Sequence, residues 1–171
     1  MEFLVRASNI TTLKKLHTEF DRAMEGAAIA VGAGIEIVTI PGYMPQYDDH
    51  ELEQLYCAAA AAIDPEIKNR GSNPSFASTD MGDLSTIMPT LHGYTAGAAG
   101  TGHGINYCFA DKQRAYVTNA KIIASIAIDL LADNAANARK IAENREGKLS
   151  KDEYIALADA LNATVSREVD I

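Results

Sequence analysis

Glu2-Phe3-Leu4-Val5-Arg6-Ala7 and Ile35-Glu36-Ile37-Val38-Thr39-Ile40 bracket an amphipathic stretch, and the reading of residues 2–40 decides the fold. Both flanks have strand character, the second through its β-branched run. Between them Ile10, Leu13, Leu16, Phe20, Ala23 and Ala27 recur at intervals of three and four, with Lys14, Lys15, Glu19 and Arg22 opposite. That period is an amphipathic helix. Ser8 or Asn9 caps its start, and Gly32 and Gly34 offer permissive stops. The expected unit is β-α-β, in which a right-handed crossover sets both strands in one sheet with the helix across one face.

Beyond it, Pro41-Gly42-Tyr43-Met44-Pro45 interrupts the pattern and marks a domain boundary, with residues 1–44 before it and 45–171 after. An alanine-rich helix follows over residues 49–63. Residues 64–83 are polar or small and read as a long loop, a place where function often resides. Residues 84–94 are strand-like around Pro89, and residues 96–104 form a glycine-rich turn. A long helix over residues 111–132 has Ile122, Ile123, Ile126 and Leu130 as its core stripe. The run Ser150-Lys151-Asp152-Glu153 has capping-box spacing and starts a helix expected to reach about residue 165.

With 47% apolar and 22% charged residues the chain can bury a core, and disorder is not the default. A net charge of −8 without a Lys/Arg cluster argues against nucleic acid and anionic lipid as partners. Cys57 and Cys108 lack CxxC spacing, and the amino terminus lacks signal-peptide organisation, so a cytoplasmic location is expected. The richest apolar stretch, residues 122–131, is broken by Ser125 and Asp129, so no membrane span is expected.

The segment Gly97-Ala98-Ala99-Gly100-Thr101-Gly102-His103-Gly104 fails as a phosphate loop, because no Lys-Ser or Lys-Thr follows and the glycine spacing is not a dinucleotide fingerprint. Its glycines can instead leave His103 uncrowded for a metal, although a lone turn histidine is more often structural. Ser78, Thr79, Asp80 and Asp83 either line a site or serve turn chemistry. His92 is ambiguous between the same two roles. Arg6 is either a bidentate carboxylate ligand or an ordinary strand charge. A catalytic zinc site takes three protein ligands and a nearby base. No His-x-Asp pair, Glu-Glu doublet or closely spaced second histidine accompanies His103.

The run from Ala77 to His92, followed by Gly100-Thr101-Gly102-His103-Gly104, resembles the C-terminal signature of metallopeptidase family 20, which includes aminoacylases, carboxypeptidases and p-aminobenzoyl-glutamate hydrolases. The similarity extends through Phe3–Ala7 and the helix near residues 115–132. It implies an α/β fold in two parts. Residues 1–44 would be the second half, β-α-β, of a ferredoxin-like lid that mediates homodimerisation; residues 45–171 would be the C-terminal part of a zinc-peptidase catalytic domain. His103 would be a zinc ligand, while Arg6, Ser78, Thr79, Asp80, Asp83 and His92 would bind a small carboxylated amide such as an N-acyl amino acid. Gly93 stands where relatives often have proline. The general base and bridging acid would lie outside this chain, leaving it without a complete metal site. The competing expectation is a non-catalytic binding or dimerisation module.

Overall fold

A computed structural model describes residues 1–67 and 78–168. It is an α/β structure with two small antiparallel sheets of two strands each, and the chain divides into two compact units. The first comprises Met1–Tyr47, Pro74–Met88 and Gly147–Ile171; the second comprises Asp48–Asn73 and Pro89–Glu146. The chain first passes from one unit to the other between Tyr47 and Asp48.

In the first unit, helix α1 spans Ile10–Ala30. Asn9 caps it, its side-chain oxygen accepting from the Thr12 amide at 2.8 Å. It closes with a Schellman motif, Ala33 donating to Ala28 and Gly32 to Ile29. Strand β1, Ile35–Thr39, follows as expected. Its partner does not. Residues 2–7 form no strand, and β1 instead pairs antiparallel with a strand near the C-terminus, Ala163–Arg167, in the register Ile35 to Arg167 and Thr39 to Ala163. The reason lies at Asn162. Its extended backbone ends the capping-box helix at Leu161, four residues short of the expected end, and frees the β-branched pair Thr164 and Val165 to join the sheet.

Residues 84–94, expected as a strand, begin instead in a short helix, Met81–Ile87. Pro89 explains its end, since the residue before a proline is pushed out of the helical region, and Met88 lies at φ −150°, ψ 158°. Tertiary contacts hold this element of about two turns. The Met44 amide donates to Asp83 Oδ1 at 2.9 Å and the Tyr47 amide to Ser85 Oγ at 3.1 Å, while Lys148 Nζ and the Leu149 amide donate to the carbonyls of Ser85 and Thr86. Gly82 is buried with no space for a side chain, because a Cβ there would overlap the Met44 carbonyl.

In the second unit, helix α2 spans His50–Ile63, capped by Asp49, whose carboxylate accepts from the amides of Glu51 and Leu52. Its alanine face lets another helix approach closely. Ala59 and Ala60 enclose Ile122, which is fully buried, and Tyr56, Ile63, Ile67 and Ile126 pack around them. Ile122 belongs to Asn119–Glu143, which continues a π-helical turn at Gln113–Thr118. The helical run expected over residues 111–132 ends where expected: Ala132 is extended, and Asp133, Asn134 and Ala135 adopt positive φ before helix resumes. Arg114 ties the start of this element to the end of α2 through Asp64 and Glu66. By length and composition alone, Gln113–Glu143 also reaches the range of a membrane span, with a mean hydropathy of 1.4 over its most apolar window, a range that core helices of soluble proteins reach as well. A two-stranded hairpin pairs Ala98 with Phe109 and Ala99 with Cys108.

Candidate ligand-binding cleft

The first unit carries a cleft of about 730 Å³, within the size range of small-molecule sites. Three walls make it. Met1–Ala7 forms one side, Ile35–Pro45 the other, and Leu13, His17, Phe20, Asp21 and Met24 of α1 form the floor. The floor residues recur at helical spacing, so a single stripe of α1 serves the cleft. Consecutive residues of β1, from both faces of the strand, line the opposite wall. Adjacent strand residues point to opposite faces, so the cleft runs along the edge of β1 not paired to the C-terminal strand. Phe3 and Phe20, both among its lining residues, meet edge to face with ring centroids 5.2 Å apart.

Arg6 and Ser78 both line this cleft. Arg6 is exposed, is the only lysine or arginine among the lining residues, and forms no ion pair among the described residues. Asp83 lines an adjoining depression that shares Leu4, Tyr43 and Ser78 with the cleft and adds Tyr154. Its carboxylate accepts from the Met44 amide and from the Tyr154 hydroxyl. Burial, and then the Asp83 carboxylate, raise the Tyr154 hydroxyl above the ordinary tyrosine range, because a phenolate would be poorly solvated and would face a like charge. Thr79 and Asp80 are occupied locally: the Thr79 hydroxyl donates to Asp80 Oδ1, and the Thr79 carbonyl accepts from the Gly82 amide. Those two serve the turn into the short helix.

His92 and His103 lie in the second unit. The His92 amide donates to Asp48 Oδ1 at 3.0 Å and its ring rests against Tyr94. His103 is exposed and holds φ +61° between two glycines. Nearby glycines have duties of their own. Gly97 and Gly100 adopt φ +116° and +89°, and a Cβ on either would strike the backbone of Asp111 and Ala115, or of Asn106. They are needed to close the turn. Among the described residues no group of three or more His, Cys, Asp or Glu side chains is arranged to hold a metal ion.

One constellation in the cleft was not singled out from sequence. Asp21 Oδ2 lies 3.2 Å from His17 Nδ1, and His17 Nε2 lies 3.0 Å from Thr39 Oγ1. The i, i+4 spacing of His17 and Asp21 was a legible signal, since it puts both on one face of α1. The hydroxyl on β1 was not, because only the packing of strand on helix brings it there.

No family description, curated protein or solved structure matches the chain.

Proposed function

We propose that the chain is a binding module, without metal chemistry of its own, which takes a small carboxylated ligand in the cleft of the first unit. The observation that carries this reading is the position of Arg6, which lines a mostly apolar cleft that also includes Glu2, Asp21 and Glu36, and which has no ion-pair partner among the described residues. A planar guanidinium grips both oxygens of a carboxylate, and the aromatic floor accepts an apolar body. N-acyl amino acids and aroyl-glutamates have that form. The amidohydrolase reading implied by family resemblance would need metal ligands beyond His103, and a base, from elsewhere.

Isothermal titration with N-benzoyl-glutamate tests the proposal. At about −0.3 kcal/mol per heavy atom, a ligand of about 18 such atoms binds with Kd on the order of 0.1 mM. Arg6→Ala weakens this roughly three- to tenfold, a modest loss because the pair is exposed to solvent. Methyl esterification of the ligand weakens it similarly. Equal affinity for the acid and its diester would remove the role assigned to Arg6.

A second reading is self-association along β1. A two-stranded sheet is marginal alone, and the unpaired edge of β1 offers alternate amides and carbonyls to a further strand. Sedimentation velocity across a hundredfold concentration range distinguishes it, since a monomer throughout would exclude pairing by this edge.

A further inference from the structure

We propose that Thr39 is a nucleophile, activated by His17 and Asp21, towards carboxylic esters that enter the cleft. The three groups stand in the order that hydroxyl activation requires. Asp21 Oδ2 lies 3.2 Å from His17 Nδ1, a contact that favours the proton on Nδ1 and so the lone pair on Nε2. With that tautomer the Thr39 hydroxyl, 3.0 Å from Nε2, is placed to donate to it. A nucleophile within hydrogen-bond reach of a base, itself oriented by a carboxylate, is the geometry by which weak hydroxyl nucleophiles are activated on unrelated folds.

A helix-to-strand tie would use the same bonds, but it would not require access to solvent or ligand. Here all three residues line the cleft, and the side chains of His17 and Asp21 keep 26% and 17% of their surface exposed. Thr39 is half-buried at the end of β1, where the chain leaves the sheet. Phe3, Phe20 and Ile37 give the surrounding walls an apolar character suited to a short acyl chain.

In the reaction, Thr39 Oγ1 bonds to the acyl carbon while its proton passes to His17 Nε2. Collapse of the tetrahedral adduct breaks the bond to the leaving oxygen, which departs as an alcohol or phenol carrying the proton from His17. Asp21 holds the imidazole in orientation and balances its transient charge. It is a positioning residue. Water then gives a proton to His17 and attacks the acyl carbon; the bond from that carbon to Thr39 Oγ1 breaks, His17 returns the proton to Oγ1, and the carboxylic acid leaves.

The test incubates the full chain with p-nitrophenyl butyrate, follows nitrophenol release and maps the acyl adduct by peptide mass spectrometry. Expected is butyrylation of Thr39, with release slowed about 100-fold or more in Thr39→Val and His17→Gln, the usual scale for losing a nucleophile–base pair. Thr39→Ser retains the reaction. Asp21→Asn slows acylation with helix content unchanged by circular dichroism, which a purely structural tie would not predict. The proposal is overturned if the folded wild-type chain carries no adduct on Thr39, or if Thr39→Val releases nitrophenol at the wild-type rate. Should the valine variant misfold, the adduct map of the wild-type chain decides alone. The neutral ester makes no demand on Arg6, so failure here leaves the carboxylate reading standing.

Discussion

Replacing Ile122 by alanine tests the packing that organises the second unit. Ile122 is fully buried against Ala59 and Ala60, with Tyr56, Ile63, Ile67 and Ile126 at its margins. Removing three buried carbons forfeits about 2.4 kcal/mol at roughly 0.8 kcal/mol each. How far the site collapses then decides the rest. Ala59 and Ala60 have no side-chain length to swing inward, and both are held in α2 by its backbone hydrogen bonds. A residual void of about 50 Å³ at about 24 cal/mol per Å³ adds roughly 1.2 kcal/mol. The expected loss is therefore about 3–4 kcal/mol in urea denaturation, or a fall in Tm of roughly 6–16 °C. Hydrogen exchange should show lost protection concentrated in α2 and the Asn119–Glu143 element. A loss below about 1 kcal/mol would refute the argument, because it would mean that the α2 face does not enclose this side chain.

Three further outcomes follow from the geometry. Gly82→Ala should destabilise the first unit by at least about 1–3 kcal/mol in chemical denaturation, the scale of overpacking, because the obstacle is the Met44 carbonyl and not a movable side chain. Alkaline stability should depend on Tyr154: below about pH 10 the tyrosine is neutral in folded and unfolded chains alike, whereas above it the unfolded chain ionises first. The raised Tyr154 pKa therefore gives a stabilisation that is lost as pH climbs through the folded value, and Tyr154→Phe should flatten the alkaline limb of a denaturation series. Zinc titration should show only weak binding, with Kd above about 10 μM, unchanged by His103→Ala, since structural affinity requires a set of ligands fixed together. Tight binding lost in that variant would restore the metal reading.

Local signals were legible wherever a short segment determines its own structure. The three- and four-residue period from Ile10 to Ala27 specified α1, and Ser150 with Glu153 specified the start of Lys151–Leu161, because helix faces and caps involve residues within one or two turns. Sheet pairing escaped for the opposite reason. The pairing of Ile35 with Arg167 joins residues that share no local pattern, and a five-residue strand after a helix looks like the helix's own tail until Asn162 is seen to end it. The short helix Met81–Ile87 was misread because its stability comes from Met44, Tyr47 and Lys148, distant in sequence, rather than from its own propensity.

The candidate site divides along the same line. Arg6 and Ser78 were drawn from resemblance and do share a cleft, yet His103, drawn from the same resemblance, lies in the other unit. Asp83 shows why residue type alone misleads: its position beside the cleft suits ligand binding, but its oxygens already receive an amide and a phenol, and substitution would cost the Met44 segment its anchor. His17 shows the converse. As a lone histidine on a helix it carried little information; its meaning depends on Asp21 one turn away and on Thr39 brought across by β1. A hydroxyl, an imidazole and a carboxylate are common residues, and their chemistry arises only when a helix and a strand from the two sides of one turn hold them in line. It follows that loosening α1 from β1 should abolish acylation even with all three residues intact.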